Sequence, residues 1–178
     1  MISGNILRPS GLWSGGVGSW IVFNNVNGLS IDSTGVIDCQ GSAYWTCRNN
    51  HALTVLNANG SRLSGLKLIN SPRDDCVAIG DGNLDVNVTQ ITCGPGHGIR
   101  GKSTTLQVSN VRYNNIAGTT TAVTAINLNC SQSVTCTDIT LQNINIQSAA
   151  PGGTVVANCS NAQGTVVGVV TPTVPCLN

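Results

Sequence analysis

Apolar and polar residues alternate with a period of two along short runs of this chain, as in Leu29-Ser30-Ile31-Asp32, Leu66-Lys67-Leu68-Ile69, Val86-Asn87-Val88, Val111-Arg112-Tyr113 and Ile139-Thr140-Leu141. Alternation of this kind predicts strands with one face buried, and most of the runs are followed by Asn, Gly or Cys, residues suited to turns. Apolar stripes at helical spacing are hard to find anywhere. Taking Leu66, Val86, Val111 and Ile139 as equivalent positions gives steps of 20, 25 and 28 residues. Repeats in the twenties built from short strands and turns point to an all-β fold, a parallel β-solenoid in which each coil buries its apolar face against its neighbours. Residues 1–178 are read as a single domain. Asn24-Asn25, Asn114-Asn115 and Asn143-Ile144-Asn145 fall at or near turns, where Asn tolerates a left-handed backbone and can stack from coil to coil. A β-sandwich, with strands every 8–12 residues, is the rival architecture.

Composition narrows the function. Charged residues make up 8% of the chain, about a third of the ~25% usual in soluble domains, and Gly, Asn, Ser, Thr and small aliphatics take their place. The net charge of +1 and the 3% of aromatics argue against a nucleic-acid partner, which calls for a basic stripe and stacking platforms. No apolar run approaches membrane-spanning length, so no membrane partner is expected. The disordered class is excluded by low charge together with ample Val, Ile and Leu.

Eight cysteines in a chain of this size point to an oxidising compartment. Their spacing favours local bridges, Cys76 with Cys93, Cys130 with Cys136 and Cys159 with Cys176, leaving Cys39 and Cys47 as a fourth pair. Zinc is the competing use of cysteine, but no C-x2-C pair occurs, and His51 and His97 lack finger spacing. Sequons at Asn59, Asn87, Asn129 and Asn158 fit a secreted protein, although such triplets arise by chance in an Asn-rich chain. Met1-Ile2-Ser3-Gly4-Asn5 has neither a basic nor an apolar signal region, so any secretory signal is expected to be missing from this chain.

Chemistry concentrates in Asp74-Asp75-Cys76 and, downstream, Cys93-Gly94-Pro95-Gly96-His97-Gly98. Only seven side chains are acidic, and two of them are adjacent. Adjacent carboxylates repel each other when both are ionised, which suits a pair to proton transfer. An Asp-Asp dipeptide alone is more often a solvated turn, and a lone His in a Gly-rich loop is more often a surface residue; the shared context of these motifs outweighs both readings. Trp13, Trp20 and Trp45 could stack on sugars, though burial near an N-terminal cap is the plainer use.

Asp74-Asp75-Cys76-Val77-Ala78-Ile79-Gly80 followed by Cys93-Gly94-Pro95-Gly96-His97-Gly98-Ile99 resembles the two central motifs of the polygalacturonases, the family 28 glycoside hydrolases, in their plant form. Gly35-Val36-Ile37-Asp38-Cys39-Gln40-Gly41 resembles the family's G-x-I-D-G-Q-G segment with Cys39 in place of a Gly, and residues 111–146 and 164–172 resemble its late coils and ending. The resemblance implies a single-stranded right-handed parallel β-helix of the pectin-lyase-like kind, secreted to the cell wall and monomeric. It also implies inverting hydrolysis of the α-1,4-galacturonosyl linkages of pectin, with no cofactor. Asp74 would be the general acid and Asp75 would help activate water, the two carboxyls of an inverting pair standing ~6.5–9.5 Å apart. His97 would tune the carboxylates or hold the sugar, the glycines beside it admitting backbone close to substrate. The Cys76 to Cys93 bridge would hold the backbone bend that lets neighbouring carboxylates share one groove.

Two departures from the family pattern stand out. An N-T-D segment bearing a third active-site carboxylate is absent between Pro72 and Arg73. After Gly98-Ile99 an S-x-G-S-x-G segment and a coil bearing R-I-K are missing, and Arg100-Gly101-Lys102 partly matches that last motif as a cationic clamp for galacturonate. The chain is therefore expected to be a shortened polygalacturonase with impaired activity. The alternative is a catalytically silent β-helix, a fragment or pectin-binding relic. A pectate lyase on the same solenoid is a third reading, disfavoured because few acids remain to hold calcium.

Overall fold

The computed structural model describes residues 1–9, 19–40, 51–71 and 75–177. Among these it contains fifteen strands and no helix, wound into about five turns of a right-handed parallel β-helix. All the strand pairings are parallel, which disposes of the sandwich. One sheet runs in the spatial order β14 (Val156–Ser160), β12 (Thr124–Cys130), β10 (Ile99–Ser103), β8 (Val77–Ile79), β5 (His51–Leu56) and β2 (Ser19–Asn24). The second holds nine strands, including the long β9 (Leu84–Gly96), β11 (Ser109–Thr120), β13 (Cys136–Ser148) and β15 (Ala162–Thr171).

The second sheet folds into two faces because its long strands bend. Strand β9 pairs first with β6 (Asn59–Ser64) and then, beyond Gln90, with β7 (Lys67–Ile69). Gly65, Gln90, Asn115, Asn143 and Gly168 all have positive φ at these bends, so glycine or a carboxamide side chain recurs where the backbone turns left-handed. Asn143 Nδ2 donates to Asn115 Oδ1 at 3.3 Å, and Asn57 Nδ2 to Asn24 Oδ1 at 3.1 Å. The asparagines stack between coils as their positions in the sequence lead one to expect.

The register corrects one step of the repeat. Val86, Val111 and Ile139 are partners, but the residue opposite Val86 on the preceding coil is Ser61, not Leu66, and the steps are 25, 25 and 28 residues. Leu66 lies past the bend at Gly65, on the next face. Period-two alternation distinguishes inside from outside and not one side of a coil from another.

Inside, side chains stack in files. Leu53, Val77, Ile99 and Ile126 form one file under the six-stranded sheet, each at most 1% exposed. Burial of ~1.5–3 kcal/mol per such side chain fixes the register. That register decides which outward-facing residues become neighbours on the sheet above. At the C-terminal end Cys159 bonds to Cys176, and Val174 and Leu177 are buried over the last coil.

Candidate active site

Asp75 stands two residues before β8, and Cys76 between them is fully buried and bonded to Cys93 of β9. Cys76 N–H donates to the Gly98 carbonyl at 2.7 Å, and Ala52 N–H to the Asp75 carbonyl at 3.3 Å. Counting back from Val77, opposite both Leu53 and Ile99, sets His51, Asp75 and His97 on one rank across three successive coils. The glycines flanking His97 are required by packing. A Cβ on Gly96 would stand 2.9 Å from Cys76 Sγ, and one on Gly98, whose φ is +86°, would stand 1.9 Å from the Ala125 carbonyl oxygen. The G-H-G triplet is thus required by the coils on either side of it, and His97 is held half-buried in the turn between β9 and β10.

The Asp75 side chain is only 9% exposed, and a single oxygen, Oδ2, lies 3.2 Å from both Arg100 Nη1 and His51 Nδ1. The His51 approach is not aligned as a hydrogen bond, so its Nδ1 has distance without a closed bond. A carboxylate so deeply placed needs compensating charge, and Arg100 supplies it from the next coil. Arg100 stands opposite Ala78 and Thr54 on the outer row of the sheet. Lys102 follows two residues on, and both cations line a cleft of about 320 Å³ together with His51, Thr54, Asp81 and Thr104. Beneath them Tyr113, fully buried, donates its hydroxyl proton to the Arg100 carbonyl at 3.0 Å. Burial pushes the Tyr113 phenol well above its usual range, and the Asp75 charge adds to the shift.

Asp81 closes one end of the cleft. Burial acts to raise its carboxyl, but the Thr104 hydroxyl and the backbone N–H groups of Thr104, Thr105 and Leu106 outweigh that and hold it below the usual carboxylate range. Among the described residues no group of three or more His, Cys, Asp or Glu side chains is placed to hold a metal ion.

The structure therefore brings Asp75 into contact with Arg100 and sets Arg100 and Lys102 in one cleft, with His97 on the rank beyond Asp75. Asp74, Arg73 and Pro72 lie outside the described residues, as do Cys47, the proposed mate of Cys39, and Trp13 and Trp45. Trp20 packs against the core. Bridges join Cys76 to Cys93, Cys130 to Cys136 and Cys159 to Cys176. The sequence reading passed over His51, dismissing it with the zinc hypothesis. Its one signal was position, since His51, Asp75 and His97 stand about one coil apart.

Residues 48–104 and 99–171 match the sequence profile of the glycosyl hydrolases family 28. The chain belongs to this family. The two matched segments overlap over residues 99–104, the stretch that holds β10. A probable polygalacturonase of Arabidopsis thaliana is 23% identical over an aligned span of 302 residues, covering 98% of this chain and 66% of that relative. An exopolygalacturonase of Platanus acerifolia is 21% identical, covering 88% of this chain and 77% of its own length. For a polygalacturonase of Malus domestica the figures are 26%, 85% and 51%. The chain thus spans about half to three quarters of the length of these relatives. The aligned span with the Arabidopsis relative exceeds the 178 residues of the whole chain, so that relative carries internal segments without counterpart here.

Proposed function

We propose that this chain is a polygalacturonase-type hydrolase that cuts α-1,4-galacturonosyl linkages of pectin with inversion, at a rate reduced by its internal gaps. The observation that carries the reading is the contact of a buried Asp75 with Arg100 in a family 28 chain, Arg100 and Lys102 lining one cleft. Asp74 protonates the leaving oxygen and Asp75 stands on the water side. His97 supports the carboxylates, and Arg100 and Lys102 draw the uronate groups of a polyanionic substrate. The enzyme acts as a monomer outside the cell, at the wall, where its three described disulfides persist. Loss of one acid-base partner commonly costs 10²–10⁴ in rate, of about the size expected for the missing third carboxylate.

A second reading, a pectin-binding β-helix without turnover, is favoured by the same Arg100 to Asp75 contact, because a guanidinium engaged with its own carboxylate offers less to a substrate. Reducing-end release from polygalacturonate in the presence of chelator separates the two. Hydrolysis that persists and disappears in Asp74→Asn supports the enzyme. Unsaturated products that chelator abolishes mean a lyase, and binding of galacturonate oligomers without release means the silent protein.

A further inference from the structure

The water side is where the proposed hydrolysis is weakest, since the third carboxylate is missing and Asp75 is tied to Arg100. We infer that His51 is the base that takes the proton of the attacking water, and that Asp75 is the positioning residue that orients it. The inference rests on the galacturonan reading and deepens it by naming a catalytic residue on β5, one coil before Asp75.

Three observations support it. His51 lines the cleft beside Thr54, Arg100 and Lys102 and keeps 21% of its side chain exposed, so water can reach it. Its Nδ1 faces Asp75 Oδ2 at 3.2 Å, which leaves Nε2 as the nitrogen available to the cleft. A carboxylate at one ring nitrogen fixes the tautomer and stabilises the imidazolium that forms when the other takes a proton. Finally, the oxygen that faces His51 is already held by Arg100, which fits Asp75 as an anchor for the ring. The imperfect alignment at Nδ1 is of the kind that tightens once substrate is bound.

Among the described residues, the charged and titratable surroundings of His51 are few. Strand β2, paired to β5 on one side, brings only Ser19–Asn24, none of which titrates. On the other side stand Asp75 before β8 and Asp81 after it, then Arg100 and Lys102 of β10, with His97 on the rank beyond. In the step, His51 Nε2 accepts a proton as the water oxygen bonds to the anomeric carbon. The bond from that carbon to the linking oxygen breaks with its electron pair going to oxygen, and that oxygen takes the proton of the Asp74 carboxylic acid. One water is consumed, two chain ends are released, and solvent returns the proton from His51 to Asp74.

The test follows reducing ends and anomeric configuration with the full chain, and measures binding of a galacturonate oligomer by calorimetry in parallel. His51→Asn keeps an N–H for Asp75 but has no Nε2. It is expected to lower kcat about 100-fold or more while KM stays within about threefold, and to lose the acid-side fall of the pH–rate profile. In His51→Ala, added imidazole should restore part of the rate. A kcat in His51→Asn within about threefold of wild type overturns the assignment, and so does a fall with an unchanged profile and no rescue of His51→Ala. Wild type that binds the oligomer without cutting it overturns the hydrolase reading and this inference with it, whereas a wild type that cuts beside an unimpaired His51→Asn overturns this inference alone. Wild type that neither binds nor cuts overturns the galacturonan reading with it.

Discussion

The Tyr113 hydroxyl reaches the Arg100 carbonyl at 3.0 Å by rising into the space beneath Gly101, where a Cβ would stand 3.6 Å from that hydroxyl and 3.1 Å from Leu128 Cδ2. A large buried phenol and an absent side chain form one unit. The two cations of the cleft flank Gly101 on the same strand, so their height above the sheet depends on what lies under it.

Tyr113→Phe removes the donor and leaves the Arg100 carbonyl without it, at a cost of about 1–3 kcal/mol. Gly101→Ile puts a side chain where Tyr113 already stands, and overpacking of this kind costs about 1–3 kcal/mol. Because the two residues share one space, the double change Gly101→Ile with Tyr113→Leu should cost less than the sum of the singles. Urea unfolding midpoints of the four proteins measure the coupling.

Alkali should find the same tyrosine. Its folded pKa is raised, so the stability it contributes is complete below the ordinary phenol value of about 10 and is lost as pH climbs above it. The slope is ~1.4 kcal/mol per pH unit for one proton. Wild type is expected to lose stability more steeply than Tyr113→Phe above that point, as urea titrations at successive pH values would record. Parallel curves would refute a buried neutral phenol.

Arg100 and Lys102 should part company on mutation. Arg100→Ala strands a nearly buried Asp75. Breaking a fully buried pair costs ~3–5 kcal/mol, and Arg100 is exposed enough to reduce that figure. Lys102 is exposed and pairs with no acid among the described ion pairs. Lys102→Ala should leave stability within about 0.5 kcal/mol of wild type yet weaken binding of galacturonate oligomers, most clearly at low salt. Thermal melts beside calorimetry distinguish a counter-ion from a clamp.

Much of the scaffold was legible because its causes are local. Alternating runs became parts of β7, β9, β11 and β13, and asparagines at the turns took up positive φ, since both depend on neighbours in sequence. Leu66 was assigned to the wrong step because the bend at Gly65 moves it to another face without disturbing the alternation. The Arg100 to Asp75 contact and the rank of His51 depend on how many residues each turn consumes between coils, a quantity that no single run displays. Arg100-Gly101-Lys102 was readable as a pair of cations, but not as a pair of which one is already engaged.

Asp81 offers an acid-side counterpart to Tyr113. Its folded pKa is depressed, so its contribution is present above the ordinary carboxylate value and is lost as pH falls through the lower folded value. Asp81→Asn should weaken the hold on residues 104–106 and flatten the acid-side loss of stability. Amide exchange at Thr104, Thr105 and Leu106 would show it as faster exchange confined to that segment, and unchanged protection there would refute the anchoring role.

Strand β10, where the two segments matched to the family overlap, is paired in ordinary register to β8 on one side and β12 on the other. A stack of equivalent rungs can be cut and rejoined between rungs without the backbone recording the seam. Melting curves and circular dichroism therefore read the rungs alone and would pass a competent enzyme and an inert one alike. Only a sugar acid laid across the join can register whether the groups brought together there still serve one another.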